Sequence, residues 1–318
     1  MATKESTVRI SVIQAAPILM NKQSALQKVA EWTAKAASEG AKVVVFPEVF
    51  ISGYPRGMLF GARVGSRNAA GRVDYARYWE SAIDIPGEDA VVLGEIAREA
   101  GVYLIIGVVE RDQEFSKGTL YNSILYIGPD GTVLGKHRKL VPTGSERLLW
   151  GQGDGSTLTV IDTPYGRIGG LICWENYMPL ARMAMYAQGI DILVTPTADA
   201  RDSWQATLQH IACEGRCFVV SSNQFATKDT YPADLACYDE LSGQPNLLSR
   251  GGSAIVGPLG DYVASPLYGE EGILTVELDL AQIAQSRYDF DVAGHYSRPD
   301  IFQLTVNRQK QDIVRMDR

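Results

Sequence analysis

Apolar positions along the chain follow two rhythms, one of period two or continuous and one near 3.6. Residues 8–14 read Val-Arg-Ile-Ser-Val-Ile-Gln, a β-rich run. Ala25, Val29, Trp32 and Ala36 then recur at helical spacing, with Asn21 as a cap and Gly40 as a stop. Residues 42–46, Lys-Val-Val-Val-Phe, form a continuous apolar run that predicts a strand buried on both faces and ended by Pro47-Glu48. Residues 51–73 are rich in Gly and Arg, lack a period and predict a long loop. A helix follows at 88–100, stopped by Gly101, and then a buried strand at 102–110. Residues 119–127 and 132–139 flank Gly128-Pro129-Asp130-Gly131 as a β-hairpin. Residues 157–162 and 167–172 flank Pro164-Tyr165-Gly166 as a second.

Further on, the pattern predicts a helix at 176–188, a strand at 190–195, a helix at 203–216 and a strand at 217–222. An irregular stretch at 227–250 precedes strands at 252–256, 262–265 and 272–278. A short helix at 280–287 leads into an extended tail. Helices alternate with strands, but hairpins interrupt the rhythm, so the expected class is α/β with mixed sheets. The 318 residues would allow two domains by length. No linker and no internal repeat divides them, which favours one domain over 1–318, with a core of about 8–280 and a C-terminal extension at 281–318.

Composition narrows the classes. Apolar residues are 46% and charged residues 21%, enough apolar surface for a packed core. Thirty basic against 37 acidic residues give a net charge of -7, which counts against a nucleic-acid partner. No apolar run approaches the roughly 20 residues of a membrane span, and the N-terminus lacks the apolar core of a signal peptide. A cytoplasmic protein is expected, with its four cysteines, Cys173, Cys213, Cys217 and Cys237, as reduced thiols.

Cys173 follows a glycine-opened strand and precedes a predicted helix, in Ile168-Gly169-Gly170-Leu171-Ile172-Cys173-Trp174-Glu175-Asn176. A strand-to-helix turn would hold a nucleophile rigidly and face it with helix-start N–H groups. A buried structural cysteine is the plain alternative. A base could come from one of only three histidines, His137, His210 and His295, though nothing local selects one. A carboxylate and a lysine could serve instead. Glu48 ends the buried strand at 42–46, and Lys139 ends a hairpin strand in Gly135-Lys136-His137-Arg138-Lys139-Leu140. Each could equally be a solvated charge. His210, Cys213 and Cys217 share a helical spacing, but without a fourth ligand they read as packing rather than a metal site. Gly151-Gln152-Gly153-Asp154-Gly155 lacks the Lys-Ser/Thr ending of a phosphate loop and reads as a turn. Gly251-Gly252-Ser253 reads as a bulge.

Together, the order Glu48, Lys139, Cys173, each at a strand end, resembles the nitrilase superfamily of carbon–nitrogen hydrolases. The matching stretches are Phe46-Pro47-Glu48, His137-Arg138-Lys139-Leu140-Val141-Pro142-Thr143 and Gly170-Leu171-Ile172-Cys173-Trp174-Glu175-Asn176. Amidase branches commonly continue the cysteine as Cys-Tyr-Asp, whereas Cys173-Trp174-Glu175 is similar to the true nitrilases. Tyr177-Met178-Pro179-Leu180-Ala181-Arg182, Glu146-Arg147-Leu148-Leu149-Trp150-Gly151 and Gly294-His295-Tyr296-Ser297-Arg298-Pro299-Asp300 point the same way. Ile51-Ser52-Gly53-Tyr54-Pro55-Arg56-Gly57 resembles plant-type and related bacterial nitrilases. The resemblance spans residues 8 to 307.

The resemblance implies a four-layer α-β-β-α sandwich, no cofactor and no metal, and homo-oligomers from dimers to larger spirals. It implies a nitrilase that converts an organic nitrile into a carboxylic acid and ammonia, with Cys173, Glu48, Lys139 and Glu146 as its catalytic residues. Tyr54, Trp174 and Tyr177 are expected near the substrate, and an apolar, partly aromatic wall would suit aliphatic or aryl-aliphatic nitriles. The alternatives are an aliphatic amidase or N-carbamoyl hydrolase, a cyanide- or β-cyanoalanine-specific nitrilase, and a non-catalytic binding protein on the same fold.

Overall fold

The computed structural model describes residues 5–314. Its strands and helices, in chain order, are β1 (Thr7–Gln14), α1 (Lys22–Ser38), β2 (Val43–Val45), β3 (Ala62–Arg63), β4 (Ser66–Arg67), α2 (Ala69–Ser81), α3 (Glu88–Ala100), β5 (Tyr103–Arg111), β6 (Leu120–Ile127) and β7 (Val133–Arg138). They continue as β8 (Val160–Thr163), β9 (Gly166–Gly170), α4 (Pro179–Tyr186), β10 (Ile192–Val194), α5 (Asp202–Gly215), β11 (Phe218–Ser221), β12 (Phe225–Thr227), β13 (Leu247–Val256), β14 (Tyr262–Tyr268), β15 (Gly272–Asp279) and α6 (Ala281–Asp289).

One sheet has the order β15-β1-β2-β5-β6-β7, and the other β12-β13-β11-β10-β9-β8 with β14 beside β13. In the first, β1, β2 and β5 are parallel and β15, β6 and β7 extend it by antiparallel pairing. In the second, β9, β10 and β11 are parallel, flanked by antiparallel β8 and β13. The sheets are mixed, as the interleaved hairpins imply.

The sheets pack face to face. Ile10, Val12, Val43 and Val45 of the first share one buried cluster with Ile192, Val194, Phe218 and Val220 of the second. On the outer side of the first sheet, Val44, Leu104 and Ile106 meet Val29, Leu93 and Ala97 of α1 and α3. On the outer side of the second, Leu193, Val219 and Ala254 meet Met185, Trp204 and Leu208 of α4 and α5. The layers are therefore α-β-β-α. This explains the unbroken Val-Val-Val of β2, since alternate side chains enter different apolar layers and all three are fully buried. Each such burial contributes roughly 1.5–3 kcal/mol.

Local signals hold where their chemistry is self-contained. Asn21 Oδ1 accepts from the Ser24 N–H at 3.1 Å and starts α1. Gly101, at φ 64, ends α3. Several expectations change. The irregular stretch expected over 227–250 contains 3₁₀ turns at Lys228–Thr230 and Tyr238–Leu241 and the start of β13, and the strand expected from 157 begins only at Val160. The helix expected over 176–188 is a 3₁₀ turn, Cys173–Tyr177, followed by α4. Pro179 separates them, because it offers no N–H and forces Met178 out of helical geometry, at φ -87 and ψ 103. The loop expected over 51–73 contains the β3/β4 hairpin, and α2 begins at Ala69, capped by Asn68. The inner face of α2 is Gly71, Asp74, Tyr78 and Ser81, so no apolar period marks it.

β2, β5 and β7 run in one direction, since β5 and β7 are both antiparallel to β6. Glu48 and Lys139 follow the C-terminal ends of β2 and β7, and Cys173 and Thr197 follow those of β9 and β10. Such ends are where sites form in α/β sheets.

Candidate active site

Glu48 is fully buried beyond β2. Gly107 of β5 makes room for that segment: a Cβ there would lie 2.3 Å from Pro47 O and 2.7 Å from Glu48 Cα. Glu48 Oε1 accepts from Lys139 Nζ at 2.8 Å and from Asn122 Nδ2 at 2.7 Å. Its Oε2 is buried and has no hydrogen-bond partner among the described residues.

Lys139 lies between two carboxylates, with Nζ also donating to Glu146 Oε2 at 2.8 Å. Its backbone is fixed on both sides, its N–H donating to Asn122 O and its carbonyl accepting from the Gly153 N–H, each at 2.8 Å. The glycine stretch 151–155, expected as a turn, is irregular up to Asp154, abuts Lys139 through Gly153, and enters a 3₁₀ turn only at Gly155. Glu146 sits in the 3₁₀ turn Gly144–Leu148 and reaches back to the Thr143 N–H at 2.7 Å. Its other oxygen accepts from the Tyr54 hydroxyl at 2.7 Å. Tyr54, Glu146, Lys139 and Glu48 therefore form one continuous chain of hydrogen bonds.

Cys173 opens its turn at φ 51, a left-handed conformation that is uncommon for a residue with a side chain. Its N–H donates to Pro196 O at 2.9 Å, and its sulfur accepts from Thr197 Oγ1 at 3.1 Å. Burial and the nearby Glu48 charge push the thiol up to about 12, with Lys139 and Thr197 opposing. That direction favours the thiol over the thiolate. Burial also raises Glu48, an effect that Lys139 reduces without cancelling. Burial would lower Lys139, but the charges of Glu48, Cys173 and Glu146 outweigh it and hold the ammonium far above the ordinary lysine range. Tyr54 is held well above its ordinary value by burial and by Glu146 and Glu48, so it stays a donor.

A cleft of about 500 Å³ opens over these groups, and Cys173, Glu146, Tyr54 and Trp174 line it. Leu247 and Leu248 supply the expected apolar wall, but Arg56, Arg201 and Arg250 line it too. Trp174 Nε1 donates to Asp199 Oδ2 at 2.9 Å. Tyr177 is not among the lining residues; it lies edge-on behind Trp174, with ring centroids 5.7 Å apart.

None of the histidines hydrogen-bonds Cys173. His137 is buried against Glu175, at 3.0 Å; His210 faces Glu214; His295 lies against Tyr296. Among the described residues no group of three His, Cys, Asp or Glu side chains could hold a metal ion. Cys217 is buried where β11 begins, and Ser253 sits in a β-bulge with its hydroxyl accepting from the Asn223 N–H.

Sequence reasoning missed Asn122, Thr197 and Asp199. Thr197 and Asp199 follow β10, the strand beside the one that leads to Cys173, and that adjacency was the available signal. Glu175 served only as a branch marker. In three dimensions it accepts from the N–H groups of Leu140 and Ile172, each at 2.6 Å, and so ties the neighbour of Lys139 to the neighbour of Cys173.

The carbon-nitrogen hydrolase family model matches residues 9–288. An aliphatic nitrilase of Sinorhizobium fredii is 50% identical over 307 residues, 96% of this chain and 97% of that protein. A bifunctional nitrilase/nitrile hydratase of Lupinus angustifolius is 48% identical over 304 residues, 94% of this chain and 86% of that one. Among solved structures, a carbon-nitrogen hydrolase from Helicobacter pylori superposes with a TM-score of 0.72 at 22% identity, covering 93% of this chain and 97% of that one. Nit3 of Saccharomyces cerevisiae, a nitrilase-superfamily member, gives 0.71 at 23% identity, covering 93% and 99%. The matched span takes in Glu48, Lys139 and Cys173 alike, and the chain belongs to the carbon-nitrogen hydrolase family.

Proposed function

We propose that the protein is a nitrilase in which Cys173 is the nucleophile, Glu48 the acid–base group and Lys139 the charge stabiliser. The observation that carries this reading is the buried Oε2 of Glu48, which no group among the described residues hydrogen-bonds. A buried carboxylate whose other oxygen is held by Lys139 and Asn122 has one lone-pair face left for a travelling proton.

The sulfur adds to the nitrile carbon as its proton passes through Glu48 to nitrogen, giving a thioimidate. Water adds to that carbon, and Glu48 relays its proton to nitrogen. Lys139 and the Trp174 N–H in the first turn of the 3₁₀ helix stabilise the developing charge. Ammonia departs and leaves a thioester. A second water, deprotonated by Glu48, releases the carboxylic acid and returns the proton to sulfur. Two waters and one nitrile thus become one acid and one ammonia. Glu146 holds Lys139 and, through Tyr54, the cleft wall.

Tyr54 and Trp174 contact the substrate, with Tyr177 supporting Trp174 from behind. The two leucines and two aromatic rings of the cleft support aliphatic or aryl-aliphatic nitriles. The chain acts as one domain, in the cytoplasm, as a homo-oligomer of two or more copies. Exposed Tyr288, Ile301 and Phe302 near its C-terminus support self-association.

Pure protein is incubated with 3-phenylpropionitrile, phenylacetonitrile, fumaronitrile, β-cyanoalanine, cyanide and the matching amides, reading ammonia and separating acid from amide. Acid and ammonia from nitriles, abolished in Cys173→Ala, are expected. Turnover of amides alone, or undiminished turnover in Cys173→Ala, overturns the reading.

A further inference from the structure

Loop 195–199, between β10 and α5, grips Cys173 at two atoms. Pro196 O takes the cysteine's N–H at 2.9 Å, and Thr197 Oγ1 lies 3.1 Å from its sulfur. Thr197 is itself fully buried and fixed: its N–H donates to Ser222 O at 2.9 Å. The Asp199 N–H donates into Thr197 Oγ1 at 2.9 Å and occupies one of its lone pairs. Asp199 is anchored in turn, with its carbonyl accepting from Asn223 Nδ2 at 2.7 Å and its carboxylate from Trp174 Nε1.

A hydroxyl donates one hydrogen, and here that hydrogen is directed at sulfur. While Cys173 is a thiol, the contact is a weak neutral one. Once the proton has left, the thiolate can only accept, and the same contact becomes a charge-assisted hydrogen bond. The interaction therefore strengthens as the nucleophile forms, which is the condition for it to accelerate the reaction rather than merely hold the ground state. It also offsets part of the penalty for ionising sulfur in a buried site.

We infer that Thr197 is a catalytic residue whose hydroxyl stabilises the Cys173 thiolate. The inference rests on the assignment of Cys173 as nucleophile. Thr197 shares no motif with Cys173 and meets it where β9 and β10 end side by side.

The test compares wild type, Thr197→Val and Thr197→Ser. Two readouts are taken: kcat/KM for a neutral nitrile, and the pH profile of iodoacetamide alkylation at Cys173, followed by peptide mass. A lost hydrogen bond to a charged group predicts that Thr197→Val lowers kcat/KM roughly 10- to 100-fold. Its alkylation profile should move to higher pH by about one unit, and Thr197→Ser should restore both readouts to within about threefold of wild type. Unchanged kcat/KM and profile in Thr197→Val overturn the inference. So does a rate loss that leaves the alkylation profile in place and that Ser does not rescue, because that marks a packing defect. Turnover persisting in Cys173→Ala would instead remove the nucleophile assignment on which the inference stands.

Discussion

The Glu175 carboxylate accepts a hydrogen bond from the Leu140 N–H at 2.6 Å. Its second oxygen accepts from the Ile172 N–H at the same distance, and both oxygens face His137 Nε2. One buried side chain thus sets the separation of the strand ends that carry Lys139 and Cys173. An amide in its place must point its NH₂ group at one of these donors. Glu175→Gln is therefore expected to cost about 1–3 kcal/mol in stability and to lower kcat more than it raises KM. Urea unfolding alongside steady-state kinetics checks both; wild-type values in each would refute the tie.

His137 and Glu175 also predict a pH dependence. Burial would lower the His137 pKa, but the Glu175 charge and hydrogen bond outweigh it, and the folded value lies above the ordinary one. A raised histidine value means the stabilisation is complete below the unfolded pKa and is lost as pH rises through the folded one. The urea midpoint should therefore fall on the alkaline side, and His137→Gln should flatten that fall. A wild-type midpoint that is flat over this range would rule out the charged pair.

Glu48→Gln removes the only proposed proton carrier and replaces it with a neutral amide that still bonds Lys139 poorly. Turnover should drop by about 100- to 10,000-fold. Alkylation of Cys173 by iodoacetamide should change as well, because the substitution removes both the proton acceptor and the charge that raises the thiol. An alkylation rate equal to wild type would mean that Glu48 does not control the thiol proton.

Gly107→Ala tests the backbone beneath Glu48. The new Cβ would meet Pro47 O at 2.3 Å and the Val49 N at 2.5 Å, and neither is a flexible side-chain end. Overpacking of this kind costs about 1–3 kcal/mol. The Tm should fall and, in the folded fraction, kcat should fall with it. A variant with both unchanged would show that the segment has slack.

The mixed-sheet α/β class and the boundaries of α1, α3, β1 and β5 were legible because Asn21, Gly101 and the apolar runs act over a few residues, whereas the α-β-β-α order came from the family resemblance. α2 escaped because its inner face, Gly71, Asp74, Tyr78 and Ser81, is chosen by the loops it packs on. The Asp74 carboxylate, for example, accepts from the N–H groups of Ala236 and Cys237, more than 160 residues away. Legibility of the candidate site divides the same way. Glu48, Lys139, Glu146 and Cys173 stand in the motifs that carry the family resemblance, whereas Asn122, Thr197 and Asp199 stand in none of them.

By itself, then, the sequence determined that β2 and β5 would be buried on both faces, and that an acid, a lysine and a thiol would stand at strand ends. Only the tertiary structure decided how those groups are held. It left Glu48 Oε2 without a partner among the described residues, directed the Thr197 hydroxyl at sulfur, turned Cys173 to positive φ and brought three arginines to the cleft. The physical reason is range. Periodicity and capping are satisfied within one or two turns of chain, whereas a hydrogen bond in a buried site is fixed by which strand ends the sheet order places side by side.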